Sequence, residues 1–164
     1  MRIGLPQEEE QPTGTRLFAA AVLQRYIARE GEHATAVLGD LKTPPLQRLK
    51  RYFSDLLKTY GQKGRIPGCM MGRFSLEMAT ESSQLRKQIS ASFEGWQRDI
   101  TAVVQQAVEQ KELSANTDPE LLAGFLLNSW EGALLRSQAE KSDAPLETFM
   151  HSFFDVMLKK PSRV

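Results

Sequence analysis

The apolar residues of the chain recur at spacings of three and four residues, which is the spacing of one face of an α-helix. The first such segment predicts a helix from about Arg16 to about Leu38. A second helix is predicted to begin at Thr43, which caps it, and Pro44, and to end at Gly61. Its inner stripe comprises Leu46, Leu49, Tyr52, Phe53, Leu56, Leu57 and Tyr60.

Two helices of very different length are predicted in the middle of the chain. A short one covers Cys69 to about Thr80, and a long one runs from about Ser83 to Lys111. The long helix carries an apolar stripe along its whole length, made of Leu85, Ile89, Phe93, Trp96, Ile100, Val103, Val104 and Ala107.

The last two predicted helices have the clearest start signals. Asp118 is a capping residue, and Pro119 follows it at the position where a missing N–H does no harm. Ser142, Asp143 and Pro145 begin the final helix in a similar way. No segment alternates apolar and polar residues as a strand does, so we expect an all-α fold with about six helices.

Both closing helices are apolar on two adjacent rows. A helix at the edge of a monomer needs only one apolar face. The second row therefore predicts a partner subunit, and Gly124, Gly132 and Ala133 permit its helices to approach closely. The alternative is a deeply buried hairpin inside one monomer, which a chain of 164 residues has difficulty in surrounding.

Composition and charge exclude some classes of protein. The net charge of +1 provides no strong field for nucleic acid or acidic membranes. No apolar run approaches the roughly 20 residues of a membrane span, so no membrane partner is expected. A single cysteine fits a reducing, cytoplasmic setting. Prolines and three successive glutamates predict an irregular arm over residues 1–15, followed by one domain over residues 16–160.

Signals for catalysis are weak throughout the chain. The two histidines, His33 and His151, are far apart in sequence, and neither has a set of metal ligands nearby. The sequence contains no phosphate-binding glycine loop and no GxSxG motif. We therefore expect no enzyme, no catalytic residues, no cofactor and no metal.

The stretch IPGCMMGRF contains the single cysteine, Cys69, at the start of the short helix. A helix N-terminus stabilises a thiolate, and Arg73 and Arg65 are close enough in sequence to lower the thiol pKa further. On this interpretation Cys69 and Arg73 sense an effector or a redox change. The alternative is a buried cysteine that acts as a small apolar residue and is inert.

Four segments together resemble the C-terminal regulatory domain of TetR-family transcriptional repressors. They are PPLQRLKRYFSDLL, GCMMGRFSLEMATESSQLRKQI, FEGWQRDI and DPELLAGFLLNSWEGALLRSQAEKSDAPLETF. The resemblance extends over residues 17–160. Within the family, the chain most resembles the branch that carries a Gly-Cys pair and responds to electrophiles. Each motif alone is modest, and it is their order and spacing that carry the resemblance.

The resemblance implies a homodimer whose last two helices form a four-helix bundle with those of the partner. The candidate interface residues are Leu121, Phe125, Gly132, Leu135, Phe149, Phe153 and Met157. It also implies a pocket among the middle helices for a small apolar or electrophilic effector. The candidate lining residues are Tyr52, Phe53, Tyr60, Met70, Met71, Phe74, Phe93, Trp96 and Trp130.

The N-terminal segment departs from the family pattern. A full repressor begins with a helix-turn-helix domain of about three helices, which reads DNA in the major groove. Here about 16 residues precede the first regulatory helix, and residues 7–11 carry glutamates, which oppose phosphate contacts. We therefore expect DNA binding only if a longer form or a partner supplies the helix-turn-helix. The alternative function is a small-molecule-binding or scaffold dimer with no direct transcriptional role.

Overall fold

The computed structural model describes residues 14–61, 68–77 and 82–158, and these contain six α-helices and no β-strand. The expected all-α fold is confirmed. Residues 1–13 of the predicted arm, and Thr80 at the predicted end of the short helix, lie outside the described residues. The helices are α1 (Gly14–Leu38), α2 (Pro45–Tyr60), α3 (Met70–Glu77), α4 (Ser83–Glu109), α5 (Pro119–Glu140) and α6 (Ala144–Met150), which continues as a π-helix (His151–Met157).

A buried arginine connects three of these helices. Arg48 of α2 is 1% exposed, and its guanidinium donates hydrogen bonds to the backbone oxygen of Leu38 and to the side-chain oxygen of Gln106. The Leu38 carbonyl is among those that the end of a helix leaves without an intrahelical partner. Because the two acceptors belong to α1 and α4, Arg48 sets the spacing of both helices from α2.

The start of α2 is capped by a residue that is distant in sequence. The prediction that Thr43 caps this helix is wrong, because the Thr43 hydroxyl donates to the Asp40 carboxylate at 2.8 Å and the helix begins at Pro45. Instead, the Glu112 carboxylate accepts a hydrogen bond from the Leu46 N–H at 2.8 Å. A carboxylate at this end of a helix also interacts favourably with the helix dipole.

The starts of α4 and α5 follow local rules. The Ser82 hydroxyl accepts a hydrogen bond from the Leu85 N–H at 3.3 Å. The Asp118 carboxylate accepts from the N–H groups of Glu120 and Leu121, each at 3.0 Å, which confirms the predicted start of α5. Caps of this kind contribute about 1 kcal/mol each.

An aromatic cluster joins α2, α5 and α6 in the core. The aromatic cluster consists of five buried residues: Phe53, Trp130, Phe149, Phe153 and Phe154. The Phe53 ring lies 5.3 Å from that of Trp130 and 5.4 Å from that of Phe149, in tilted geometry. Such ring pairs contribute about 0.5–1.5 kcal/mol each beyond the burial of their surface. Helix α4 packs against α5 and also contacts α1, α2 and α3.

Replacing Arg48 by methionine tests the connection between the three helices. The substitution leaves the Leu38 carbonyl and the Gln106 side-chain oxygen without their donor in the interior. We expect the free energy of unfolding to fall by about 2–3 kcal/mol, measured by urea denaturation at a fixed protein concentration.

The matched control is Arg51→Met, because Arg51 lies on the same helix and is exposed. We expect the control to change stability by no more than about 0.5 kcal/mol. Equal losses in the two variants would contradict a structural role for Arg48.

Candidate ligand-binding site

A cavity of about 300 Å³ lies between α1, α2, α4 and α5 and is closed at one side by the start of α3. Its surface is mostly apolar and aromatic, as is typical of small-molecule sites. The lining residues are Tyr26, Ile27, Glu30, Gly31, Ala34, Tyr52, Leu56, Tyr60, Cys69, Met71, Ala91, Ser92, Gly95, Trp96, Asp99 and Trp130.

The aromatic walls of the cavity are positioned by packing on the side away from it. Tyr52 lines the cavity and its neighbour Phe53 belongs to the aromatic cluster, with the two rings 5.4 Å apart and close to perpendicular. Trp130 belongs both to the cavity wall and to the aromatic cluster, because it lines the cavity and contacts Phe53. The rings of Tyr52 and Trp96 meet edge to face at 6.4 Å. The packed core therefore holds these walls in fixed orientations.

Three polar side chains meet at the end of the cavity nearest α3. The hydroxyls of Tyr26 and Tyr60 are 2.9 Å apart and hydrogen bonded, and the Tyr26 hydroxyl donates to the Cys69 Sγ at 3.8 Å. Burial raises the pKa of both tyrosines above the ordinary value. Because the two hydroxyls stay protonated, they act as hydrogen-bond donors and carry no charge.

Cys69 is 6% exposed, and its thiol is protonated at neutral pH. Burial raises the pKa of the thiol to about 12, and the neighbouring Glu131 carboxyl raises it further, against the hydrogen bond from the Gly72 backbone. The expectation of a lowered thiol pKa is therefore wrong: the Gly72 N–H in the first turn of α3 does lower it, but burial and Glu131 outweigh that effect. Arg73 is 59% exposed and pairs with Glu77 at 3.7 Å, and Arg65 lies outside the described residues.

A buried carboxyl group stands beside the thiol. Glu131 of α5 hydrogen bonds to the Cys69 side chain, and burial raises the pKa of the carboxyl to about 7. Its Oε1 atom has no hydrogen-bond partner among the described residues. A partly protonated acid at neutral pH is able both to donate a proton and to accept one. Glu131 is therefore the group in this region whose charge changes near neutral pH.

Two glycines permit this arrangement around Cys69. A Cβ atom on Gly72 would lie 2.8 Å from the Glu131 Oε2, so a larger residue would displace the carboxyl. Gly68 has a φ of +76°, in the left-handed region that favours glycine, and it lies against Gln138. Cys69 also borders a groove of about 490 Å³ between α3 and α5, which Glu131 and Gln138 line.

The sequence of the chain matches a known family over much of its length. Residues 45–153 match the family described as "Tetracyclin repressor-like, C-terminal domain". This segment begins with α2, ends in the π-helix, and includes most of the cavity walls. The chain belongs to the TetR family. It therefore carries the C-terminal, effector-binding regulatory domain of a transcriptional regulator, as the resemblance implied.

Characterised relatives of this TetR-family domain are repressors and regulators by name. The chain is 29% identical over 147 residues to the HTH-type transcriptional repressor DhaR of Mycobacterium sp. (strain GP1), covering 90% of this chain and 72% of DhaR. It is 29% identical over 136 residues to the transcriptional regulator AcuR of Cereibacter sphaeroides, covering 83% of this chain and 62% of AcuR. The chain thus spans about two thirds of the length of these relatives. None of these names describes an enzyme.

A solved structure has the same fold. The regulatory protein TetR from Rhodobacter sphaeroides superposes with a TM-score of 0.74 at 28% identity, covering 84% of this chain and 73% of that one. This chain therefore corresponds to part of the solved chain, and the likeness extends over most of the helices described here.

The TetR-family domain brings together some of the residues proposed from the sequence, and their role in binding stays a prediction. Phe53 lies in the aromatic cluster, behind the cavity wall. Met70, Phe74 and Phe93 are partly buried against the core and are not lining residues. The cavity is lined by the following proposed residues: Tyr52, Tyr60, Met71, Trp96 and Trp130, with Cys69.

The contribution of α1 and of Glu131 was missed at the level of sequence. Tyr26 and Glu30 lie on α1, whose apolar pattern indicated only a packed helix. For Glu131 a signal existed, because it is the sole acidic residue between Glu120 and Glu140 and is flanked by apolar residues such as Trp130. Asp99 of α4 also lines the cavity, although it is not part of the apolar stripe predicted for that helix.

The candidate interface residues of the TetR-family domain fall into two groups. Phe149 and Phe153 are buried inside the chain, in the aromatic cluster. A Cβ atom on Gly132 would meet nothing within 4 Å, so this part of α5 faces open space. The exposed candidates are Leu121, Phe125, Gly132, Leu135 and Met157.

Membrane-spanning helices and clusters of metal ligands are both absent from the described residues. None of the helices in this part of the chain has the length and apolar character that a membrane crossing requires. The same residues contain no group of three or more His, Cys, Asp or Glu side chains placed to hold a metal ion.

Because the pKa of Glu131 is raised, we expect the stability of the protein to depend on pH in a way that the Glu131→Gln variant lacks. The pKa of this carboxyl is about 7 in the fold against an ordinary 4.5, so folding favours the protonated form. This contribution to stability is fully present below pH 4.5 and is lost as the pH rises through 7. We expect the wild type to lose about 2–3 kcal/mol between pH 5 and 8 relative to Glu131→Gln, measured by urea denaturation.

Glu140→Gln provides the control, because Glu140 is an exposed carboxylate at the end of the same helix. Its stability should follow that of the wild type across this pH range. If the Glu131→Gln curve ran parallel to the wild-type curve, the buried carboxyl would not be titrating near neutral pH.

Proposed function

We propose that the chain is the effector-sensing and dimerising part of a cytoplasmic TetR-like regulator, with the 300 Å³ cavity as its effector site. The observation that carries this proposal is the position of α5. Trp130 of α5 lines the cavity, while Leu135 of the same helix is 63% exposed on the outer surface. A ligand that favours one position of α5 therefore changes the outer surface as well, which is the requirement for coupling two sites.

An apolar stripe on α5 supports dimerisation. Leu121, Phe125 and Leu135 are all exposed and lie on one face, together with the open position at Gly132. Full burial of each large side chain would contribute about 1.5–3 kcal/mol. A groove of about 250 Å³ between α5 and α6, lined by Phe125 and Met157, provides a recess for side chains of a second copy.

Control of transcription requires a DNA-reading part in addition to this domain. The relative DhaR is named as an HTH-type repressor, and the chain covers 72% of its length. We propose that a helix-turn-helix from a longer form or from a partner supplies DNA binding, and that effector binding acts on it through the dimer. A scaffold without a transcriptional role is not favoured by any relative named above.

The effector class proposed from the cavity is a small, largely apolar molecule. Sensing of an electrophile at Cys69, with Arg73 beside it, is a second candidate, favoured by the position of the thiol in the cavity wall. The raised thiol pKa opposes it at neutral pH, because the thiolate is the reactive form. In the resting protein Cys69 acts mainly as part of the wall.

Sedimentation equilibrium tests the dimer with Leu135→Glu. The wild type should sediment as twice its monomer mass of 18.5 kDa. Burying a carboxylate in the interface should weaken the dimer by a factor of about ten or more. Because Leu135 is exposed in the monomer, the helix content by circular dichroism should not change.

Leu41→Glu is the matched control, since Leu41 is 79% exposed and lies between α1 and α2, away from the stripe. It should remain dimeric. A monomeric wild type, or equal dimer affinity in both variants, would refute the interface.

Alkylation of Cys69 by N-ethylmaleimide tests the second candidate. At pH 7.5 we expect the native thiol to react roughly a thousand times more slowly than the unfolded thiol, because burial removes both access and thiolate. Mass spectrometry of time points with and without urea measures both rates, and Cys69→Ser reports any background. Rapid modification of the native protein would instead support a sensing cysteine.

A further inference from the structure

We propose that the effector cavity accepts a small organic cation, namely an ammonium group carried on an apolar body. This inference rests on the proposed function and names the chemistry of its ligand. It follows from the charges, the rings and the size of the cavity.

The charged groups that line the cavity are all acidic. Glu30 comes from α1 and Asp99 from α4, and the cavity lining within the described residues includes no lysine, arginine or histidine. Interactions between a ligand and such groups are stronger in a partly enclosed apolar space than in water. Among the lining residues an anionic ligand would meet two carboxylates and no cation, because Arg29, which pairs with Glu30 and lies 5.4 Å from the Tyr26 ring, does not line the cavity. A cation would gain from both carboxylates.

Local ion pairing neutralises these two carboxylates only in part. Glu30 accepts hydrogen bonds from the Arg29 guanidinium at 3.0 and 2.8 Å, but that arginine side chain is 55% exposed and does not line the cavity. Asp99 accepts no hydrogen bond from the described residues, and its cationic neighbour is Arg98. Asp99 is an exposed residue that also lines the cavity, so its carboxylate is available as the acceptor for an ammonium group.

Aromatic rings surround the same space. Tyr26, Tyr52, Tyr60, Trp96 and Trp130 all line the cavity. The faces of such rings carry partial negative charge and attract a cation within about 6 Å. Carboxylates and aromatic rings thus act in the same direction. Burial is the main cause that raises the pKa of Tyr52, and the nearby carboxylates of Glu30 and Asp99 raise it further.

The test uses three ligands of matched size and different charge. Phenyltrimethylammonium, tert-butylbenzene and benzenesulfonate have the same number of non-hydrogen atoms and are cationic, neutral and anionic. Both tryptophans of the chain line the cavity, so quenching of intrinsic fluorescence reports binding there. We expect the cation to bind the full chain about tenfold more tightly than the neutral isostere, and the anion to bind most weakly.

Variants identify the source of the preference. Asp99→Asn should reduce the affinity for the cation about fivefold or more and leave that for tert-butylbenzene unchanged. Glu94→Gln is the control, because it removes the same charge from another exposed position on the same helix, and Glu94 does not line the cavity. Circular dichroism and thermal unfolding confirm that each variant is folded.

The outcomes separate this inference from the function on which it rests. If tert-butylbenzene binds as well as the cation, or if Asp99→Asn changes nothing, the cavity remains a binding site and the cationic ligand is refuted. If none of the three ligands quenches the tryptophans, the cavity is refuted as an effector site and the inference falls with it.

Discussion

The packing of the aromatic cluster around Phe53 is the interaction on which the rest of this domain depends. The cluster joins α2, α5 and α6, and Trp130 belongs both to it and to the cavity wall. Two adjacent residues on α2 have different roles, since Phe53 packs in the core and Tyr52 lines the cavity. A close-packed interior has few voids larger than a water molecule. A cavity of 300 Å³ beside it therefore needs walls that the cluster prevents from collapsing.

Hydrogen bonds between residues far apart in sequence also hold these helices together. Arg48 connects α1, α2 and α4 through two acceptors, and Glu112 caps the start of α2. These contacts fix the ends of the helices that enclose the cavity. The middles of α1 and α4 remain separated by the space that Tyr26 and Trp96 border. Stability and an open binding space are thus supplied by different parts of the same helices.

The chemistry of the site depends more on surroundings than on residue type. Cys69 immediately precedes α3, a position that favours thiolates in exposed sites. Here burial and the neighbouring Glu131 reverse that tendency. Glu131 in turn is buried on a helix that also presents an apolar outer stripe, so its charge state, the thiol and the proposed dimer surface are all carried by or packed against α5.

The sequence by itself determined the helices, the all-α class and the likeness to the TetR regulatory domain. Apolar periodicity defines which face of a helix turns inward, and caps such as Asp118 act within one turn. Both can therefore be predicted from residues that are close together in the sequence. Only the tertiary structure decided that Tyr26 and Glu30 line the cavity and that Glu112 caps α2. It also decided that the pKa of the Cys69 thiol is raised, so that the thiol stays protonated. The physical reason is that lining, long-range capping and pKa depend on neighbours many residues away in sequence, which periodicity does not specify.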